Sequence, residues 1–280
     1  MLSVLEVVKK TSEFFASKGI ESPRLNAELL VGHALGLRRM DLYLRFEQAV
    51  GDAELAALRE MVRRRGRREP LQYVLGHADF HGLKLKVDRR ALIPRPETEL
   101  LVETAVGRMA SAPARILDLG TGSGAIALAL ARAYPDAAVV ATDRSPDCLV
   151  LAAENAETNG LAGRVEFVAS DWFQGLLGRT FDLIVSNPPY LSQEEVRDAA
   201  PEVREHEPHG ALSSDDGGFA DLSSILGEAL THLSEGGLLA LETGISHHPR
   251  ATEIAARSGY ARSESVRDLS GRDRIFLAWR

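Results

Sequence analysis

From residue 115 onward the chain alternates short apolar runs of strand length with stretches of helical period, and this alternation restricts the fold more than any other feature. The candidate strands are Ile116–Leu119, Ala138–Thr142, Val165–Val168, Asp182–Ser186, Gly237–Glu242, Tyr260–Val266 and Ile275–Trp279. Helical stretches fall between them at Ala125–Tyr134, Pro146–Thr158, Phe219–Leu233 and Ser246–Ser258. A strand followed by a helix cannot return as a tight hairpin, so such units build a mostly parallel sheet covered on both faces. Ligands of these sheets bind at the carboxyl ends of the strands, near the point where strand order reverses. Chemistry is therefore expected just after strands.

The preceding segment reads differently. Ser3-Val4-Leu5-Glu6 has capping-box spacing, with Leu5, Val8 and Phe15 recurring at helical period until Gly19. Ser22-Pro23 starts a second helix through Leu25, Leu29 and Leu30 towards Gly36. Asp52 is expected to cap a third, with Leu55, Leu58, Met61 and Val62 on one face, ending in the basic run Arg63–Arg68. At Phe80 the period falls to two, and Leu83, Leu85 and Val87 alternate with Lys84, Lys86 and Asp88. Together with Tyr73-Val74-Leu75-Gly76 this predicts a β-hairpin joining two modules. The expected division is a helical domain over 1–73, a hairpin linker over 74–94 and the α/β domain over 95–280. Charge divides at the same place: residues 1–95 carry 18 basic against 12 acidic residues, and the rest 15 against 28. The acidic larger part argues against a duplex-DNA binder that neutralises many phosphates. A solvated helix end is the simpler reading of the basic run.

Three strand ends carry groups suited to a nucleoside. Asp118-Leu119-Gly120-Thr121-Gly122-Ser123-Gly124 leaves the first strand and opens a helix, with glycines that let backbone N–H groups approach a ligand. The run also fits G-x-G-x-x-A through Ala125, which keeps a dinucleotide open. Asp143 ends the next strand, where its carboxylate can accept from both hydroxyls of a ribose. Ser170-Asp171-Trp172 ends the third, offering an acceptor for an adenine amine and a ring wall.

Asn187-Pro188-Pro189-Tyr190 follows the strand Asp182–Ser186. A Pro-Pro pair alone is only a stiff turn. Here, however, the Asn187 side-chain oxygen and the Pro188 carbonyl can each accept one hydrogen of a planar –NH2 group. That would hold its nitrogen in line with a methyl donor in the geometry that localises the lone pair. Pro189 stiffens the loop, and Tyr190 is expected to pack against the planar group. No nucleophile or metal is needed.

These residues resemble S-adenosylmethionine-dependent methyltransferases of the Rossmann-like class. More narrowly, the chain is similar over almost its full length to the peptide chain release factor glutamine methyltransferases. The supporting residues are Ile93-Pro94-Arg95-Pro96-Glu97-Thr98-Glu99, Glu207-Pro208 ahead of Ala211-Leu212, Glu242-Thr243-Gly244, and Asp268-Leu269-Ser270-Gly271-Arg272-Asp273-Arg274. The resemblance implies a Rossmann-like, seven-stranded, mostly parallel methyltransferase sheet behind a small N-terminal helical domain and a hairpin. It implies methyl transfer from S-adenosylmethionine, with S-adenosylhomocysteine as product and no metal, to N5 of the glutamine in the Gly-Gly-Gln loop of release factors. Gly120, Thr121, Gly122, Ser123, Gly124, Asp143, Asp171, Trp172 and Asn187 would then bind the donor. Asn187, Pro188, Pro189 and Tyr190 would bind the substrate, with Asn187, Pro188 and Tyr190 in catalysis. Two positions depart from the family pattern. Ser214-Asp215-Asp216-Gly217-Gly218-Phe219 replaces Gly-x-x-Asp-Gly-Leu, and His247 stands where the family has Gln.

Three other readings stay open on the residues. The same loop suits an exocyclic amine of a DNA or RNA base, although the acidic α/β part and the lack of an added base-recognition domain count against it. A nicotinamide-linked oxidoreductase would use the Gly turn but leaves the Pro-Pro loop unexplained. A non-enzymatic binding module would leave the pocket idle. The single cysteine, Cys148, excludes an intramolecular disulfide framework and a cysteine-based zinc site, and His77, His81, His247 and His248 match no metal spacing. No apolar run nears the roughly 18 residues a membrane span needs. Met1–Glu6 carries an acid early and does not read as a secretory leader. The expected setting is cytoplasmic, with release factors as partners, no stable nucleic acid and no membrane; the oligomeric state is open.

Overall fold

The computed structural model describes residues 2–280, and Met1, the first residue of the stretch read for a leader, lies outside them. The chain forms two compact units. One runs to Gly76 and recruits Pro201–His206; the other comprises His77–Ala200 and Glu207–Arg280.

The first unit is helical, with helices Val4–Ser17, Pro23–Leu35, Arg39–Leu44, Asp52–Gly66, Leu71–Leu75 and Pro201–His206. Ser3 and Glu6 form the expected capping box: Ser3 Oγ accepts from Glu6 N, and Glu6 accepts from Ser3 N at 2.8 Å. The apolar stripe of Val4, Val7, Val8 and Phe15 packs with Leu30, Val31, Leu42 and Leu58. Three details differ from expectation. Asp52 does not cap its helix; Gly51 takes that place, and the Glu54 carboxylate reaches back to Gly51 N at 2.6 Å. Asp52 sits inside the first turn, where its charge suits the free N–H groups. That helix is fourth in order, because the six-residue Arg39–Leu44 precedes it. Tyr73-Val74-Leu75 is helical rather than extended, ended by Gly76 in the left-handed region at φ 77°.

The basic run is largely consumed inside the unit. Arg63 pairs with Glu60 at 2.7 Å and Arg64 with Glu69 at 2.6 Å, while buried Arg65 donates to Asn26 at 2.8 Å. Arg65 and Arg68 share the Glu202 carboxylate at 2.9 and 2.7 Å, which fastens Pro201–His206 to the helices.

The second unit opens with the hairpin β1 (His77–Phe80) and β2 (Leu83–Lys86), four residues later than Tyr73. Leu83 and Leu85 are buried, while Lys84 and Lys86 are exposed, as their alternation predicts. Buried Asn155 accepts from Lys86 N at 2.7 Å and donates to Ser123 O at 2.8 Å, linking β2 to the Gly-rich turn.

Seven further strands form one sheet: β3 (Arg115–Leu119), β4 (Ala138–Asp143), β5 (Val165–Ala169), β6 (Phe181–Ser186), β7 (Leu233–Glu242), β8 (Arg262–Arg267) and β9 (Asp273–Trp279). Their order is β5-β4-β3-β6-β7-β9-β8, parallel except for the antiparallel pairs that β9 makes with β7 and β8. This is the mixed α/β, seven-stranded, mostly parallel sheet the pattern implies. Each face carries its own apolar cluster, with Ile116 in one and Leu117 and Leu119 in the other. In β3 Leu119 lies opposite Thr142 of β4 and Ser186 of β6, so the three strands end in one row. Strand order reverses there, and the carboxyl edge opens towards the motifs.

The backbone after Pro189 is braced by the segment that departs from the family pattern. Leu191 N donates to Leu212 O at 3.1 Å, and Ser214 N donates to Leu191 O at 3.0 Å. Gly218 follows at φ +90°, where a Cβ would stand 2.2 Å from the Tyr190 carbonyl oxygen. Gly218→Ala is therefore expected to destabilise the protein by about 1–3 kcal/mol from backbone strain alone. A lower midpoint in urea or thermal unfolding checks this; an unchanged midpoint would mean the close approach relaxes freely.

Candidate active site

A cavity opens at the carboxyl ends of β3, β4, β5 and β6. Its lining includes Gly120–Ser123, Asp143, Ser170–Trp172 and Asn187–Pro189, together with Pro94, Thr98 and Cys148. Most of the residues predicted for the site thus share one concavity. Gly124 and Tyr190 are the exceptions.

The turn after β3 is held from beneath. Asp118 is fully buried, and its Oδ2 accepts from Thr121 Oγ1 at 2.6 Å and Ala127 N at 3.1 Å. Its other oxygen, Oδ1, is buried with no hydrogen-bond partner among the described residues. Thr121 N donates to Thr142 O at 2.8 Å, which stitches the turn to β4. Gly124 opens the following helix at φ +85°, where a Cβ would meet Ala152 Cβ at 3.0 Å and Cα at 3.2 Å. Gly124 therefore serves helix packing and does not line the cavity.

Asp143 is anchored on both oxygens: Gly122 N donates to Oδ2 and Ser145 N to Oδ1, each at 2.9 Å. Each carboxylate oxygen accepts more than one hydrogen bond, so capacity for ligand hydroxyls remains. At the end of β5, Ser170 Oγ donates to Trp172 O and accepts from Gly175 N, both at 2.8 Å. This holds Trp172 at φ +45°, and its Nε1 donates to Asp221 at 3.2 Å.

Beyond β6, Asn187 Nδ2 donates to Thr98 Oγ1 at 3.0 Å, which leaves Oδ1 as the amide end without a partner among the described residues. Thr98 Oγ1 in turn donates to Glu242 Oε2 at 2.7 Å. Tyr190 departs from expectation. It does not line the cavity; its hydroxyl donates to Glu242 Oε1 at 3.0 Å, and its ring packs into the core face beneath. The pull of a buried carboxylate turns it away from the open side. Burial pushes the Glu242 carboxyl above its ordinary value, opposed by its bonds from Thr98 and Tyr190 and by the Arg274 charge. Burial likewise pushes the Tyr190 hydroxyl up.

Thr98 and Glu242 are the polar partners that sequence reasoning left out of the site. Glu242 did carry a signal, an acid closing the apolar run Leu238–Leu241 on the same strand edge as Asp143. Thr98 carried none.

The remaining reactive side chains are quiet. Burial, with the Asp143 charge adding, pushes the Cys148 thiol up to about 11, so it stays protonated at neutral pH. His247 accepts from Gly244 N at 3.2 Å and lies edge-on to Phe219, filling the place of the family's Gln. His248 sits between Thr243 Oγ1 and Ser265 Oγ at 2.8 and 2.7 Å, and burial lowers both histidines. Among the described residues no group of three or more His, Cys, Asp or Glu side chains is arranged to hold a metal.

Burial, with the like charge of Asp143 adding, pushes the Asp118 carboxyl up to about 7. The folded state then keeps a proton that the unfolded chain releases near pH 4, so this group's contribution falls as pH rises from about 4 to about 7 and is flat above. Asp118→Asn keeps an acceptor for Thr121 and Ala127 but cannot ionise. Thermal unfolding from about pH 5 to about pH 8 should fall less steeply in this variant. Parallel curves would place the Asp118 titration elsewhere.

Two family models match the chain, the PrmC N-terminal domain over residues 6–76 and the methyltransferase small domain over residues 96–206. The release factor glutamine methyltransferase of Rhodopirellula baltica is 40% identical, covering 98% of this chain and 95% of the relative. That of Geobacter sulfurreducens is 41% identical over 98% of this chain and 95% of its own. Among solved structures, the human Mettl16 catalytic domain in complex with an RNA hairpin has a TM-score of 0.56 at 21% identity, covering 81% of each chain; it shares the fold. Near-complete coverage at this identity joins both units and the strand-end motifs to one family, and this chain belongs to the release factor glutamine methyltransferases.

Proposed function

We propose that this protein transfers a methyl group from S-adenosylmethionine to the side-chain amide nitrogen, N5, of the glutamine in the Gly-Gly-Gln loop of peptide chain release factors. The observation that carries this reading is the placement of Asn187-Pro188-Pro189 in the same cavity as the Gly-rich turn and Asp143, within a chain of this family. The dinucleotide and idle-pocket readings give way to it. The loop in the cavity suits the base-amine alternative equally, and the family favours the protein glutamine.

The lining fits the donor. Asp143 retains acceptor capacity for the ribose hydroxyls, Asp171 and Trp172 suit the adenine amine and ring, and the turn Gly120–Ser123 lets backbone reach the methionine end without a side chain between. When bound, S-adenosylmethionine would supply a methyl on a sulfonium: the N–C bond forms as the S–C bond breaks, which leaves the neutral thioether of S-adenosylhomocysteine, and one amide hydrogen is released as a proton to water. The chain's own task is to make a poor nucleophile attack. An amide nitrogen shares its lone pair with the carbonyl, and two acceptors in fixed positions draw its hydrogens into the geometry that frees the pair. Asn187 Oδ1 takes one hydrogen and the Pro188 carbonyl the other. Pro189 limits how far that carbonyl can turn. Tyr190 holds the loop from beneath through its hydrogen bond to Glu242. No metal enters this scheme.

The division expected at residues 73 and 94 moves to Gly76: the helical unit, which includes Pro201–His206, is expected to supply recognition of the whole release factor, and the unit that begins at His77 to carry the chemistry. Among the described residues no helix is long and apolar enough to cross a membrane. The enzyme is expected in the cytoplasm with its release factor substrate. It is expected to hold no stable nucleic acid.

Asn187→Ala should bind S-adenosylmethionine nearly as tightly as the parent while kcat falls about 100- to 1000-fold, equivalent to about 2.7–4 kcal/mol. Calorimetry for the donor and mass spectrometry of the methylated glutamine test this; near-parental turnover at saturating substrates would return the loop to a structural turn. Intact release factor should be methylated with a higher kcat/KM than a short Gly-Gly-Gln peptide. Equal values would remove the recognition role of the helical domain.

A further inference from the structure

An asparagine amide has two ends of nearly equal size and opposite hydrogen-bonding character. Rotating it by half a turn changes little sterically, yet it replaces an acceptor facing the substrate with a donor that would repel the target –NH2. Something must choose the end. The only partner of the Asn187 amide among the described residues is Thr98 Oγ1, 3.0 Å from Nδ2. A hydroxyl by itself does not choose, because it can donate to Oδ1 as readily as it accepts from Nδ2.

The choice is made one step deeper. Thr98 has a single proton, and it is committed to Glu242 Oε2 at 2.7 Å. Glu242 receives both hydroxyls, that of Thr98 at Oε2 and that of Tyr190 at Oε1 at 3.0 Å, and these two bonds with the Arg274 charge favour its accepting, ionised form against the burial that raises the carboxyl. Glu242 is 1% exposed, so water does not compete for either oxygen. Arg274 supports the charge: its Nη1 donates to Thr243 O at 3.0 Å, and its guanidinium stands over the Tyr190 ring. Glu242 accepts, Thr98 donates downward and accepts from above, and Nδ2 must face Thr98. Oδ1 is left for the cavity.

We propose that Thr98 is a positioning residue for methyl transfer, fixing which end of the Asn187 amide meets the substrate by relaying the acceptor-only character of buried Glu242. The inference rests on the reading that Asn187 Oδ1 accepts a hydrogen of the target amide. It separates two roles within the loop: Asn187 touches the reacting group, and Thr98 acts only through it.

The test measures kcat and KM on intact release factor, with donor affinity by calorimetry reporting a folded pocket. Thr98→Val keeps the side-chain shape without the hydroxyl, and kcat should fall about tenfold, the worth of one buried polar hydrogen bond, while KM and donor affinity change less than about twofold. Thr98→Ser should restore kcat. The polarity is tested separately by a double-mutant cycle. In Asn187→Asp, a carboxylate oxygen faces a Thr98 whose proton is already committed, and activity falls. Glu242→Gln can donate to Thr98 and release that proton, so it should raise the activity of Asn187→Asp several-fold while lowering that of the parent. Additive effects in the cycle, or full kcat in Thr98→Val beside a collapsed Asn187→Ala, would overturn the relay. Full turnover in Asn187→Ala would overturn the underlying reading instead, and the relay with it.

Discussion

The structure depends on the parallel pairing of β3 between β4 and β6. Hydrogen bonding in register sets Leu119, Thr142 and Ser186 side by side, so the residues that follow each strand emerge along one line. Because both sheet faces are apolar and covered, the edge is where polar groups can be held without being stranded in the core. The Gly turn, Asp143, Ser170 and Asn187 come from segments far apart in the chain, and the register alone brings them to one cavity. Shifting one strand by a residue would turn its side chains to the opposite face and dissolve the site.

Two buried carboxylates organise that edge in the same way. Asp118 beneath the Gly turn and Glu242 beneath the Pro-Pro loop are each fully buried, and each receives hydroxyl donors: Thr121 for the first, Thr98 and Tyr190 for the second. A carboxylate accepts and, while ionised, never donates, so it gives direction to whatever hydroxyl it binds. The cost is desolvation, which raises both groups above their ordinary range. Such groups are a poor way to gain stability and a good way to specify one arrangement of the loops above them.

The repeating pattern carried most of this. Six of the seven sheet strands were legible because apolar runs bounded by glycine and polar residues admit few alternatives in a β-α alternation; β8, Arg262–Arg267, is a polar edge strand that was nonetheless expected at Tyr260–Val266, and boundaries moved by only a few residues. Local sequence failed where the deciding partner is distant or the element is short. Arg39–Leu44 offers one buried side chain, Leu42, too little for a periodic signal. Tyr73–Leu75 looks β-like in composition but is closed into a helical turn by left-handed Gly76. Tyr190 was expected to line the cavity as its neighbours Asn187–Pro189 do. Its partner Glu242 lies 52 residues away, and the partner of Thr98 lies 144 away. The strand-end acceptors could be read from the motifs; what aims them could not.

The character of the cavity explains why aiming matters so much. Its thiol is held protonated, and neither buried histidine lines it. On the proposed reading, acceleration comes from the position and polarity of fixed acceptors. Rate then depends steeply on how tightly those acceptors are held. Constraints converge on this one loop from independent directions. The prolines limit its backbone, Gly218 presses against the Tyr190 carbonyl, the Leu191 pairing braces its exit, and Thr98 orients its amide. None of these supplies chemistry. Each narrows the arrangements in which an amide nitrogen can meet a methyl group, and on the proposed reading that narrowing is the means of catalysis.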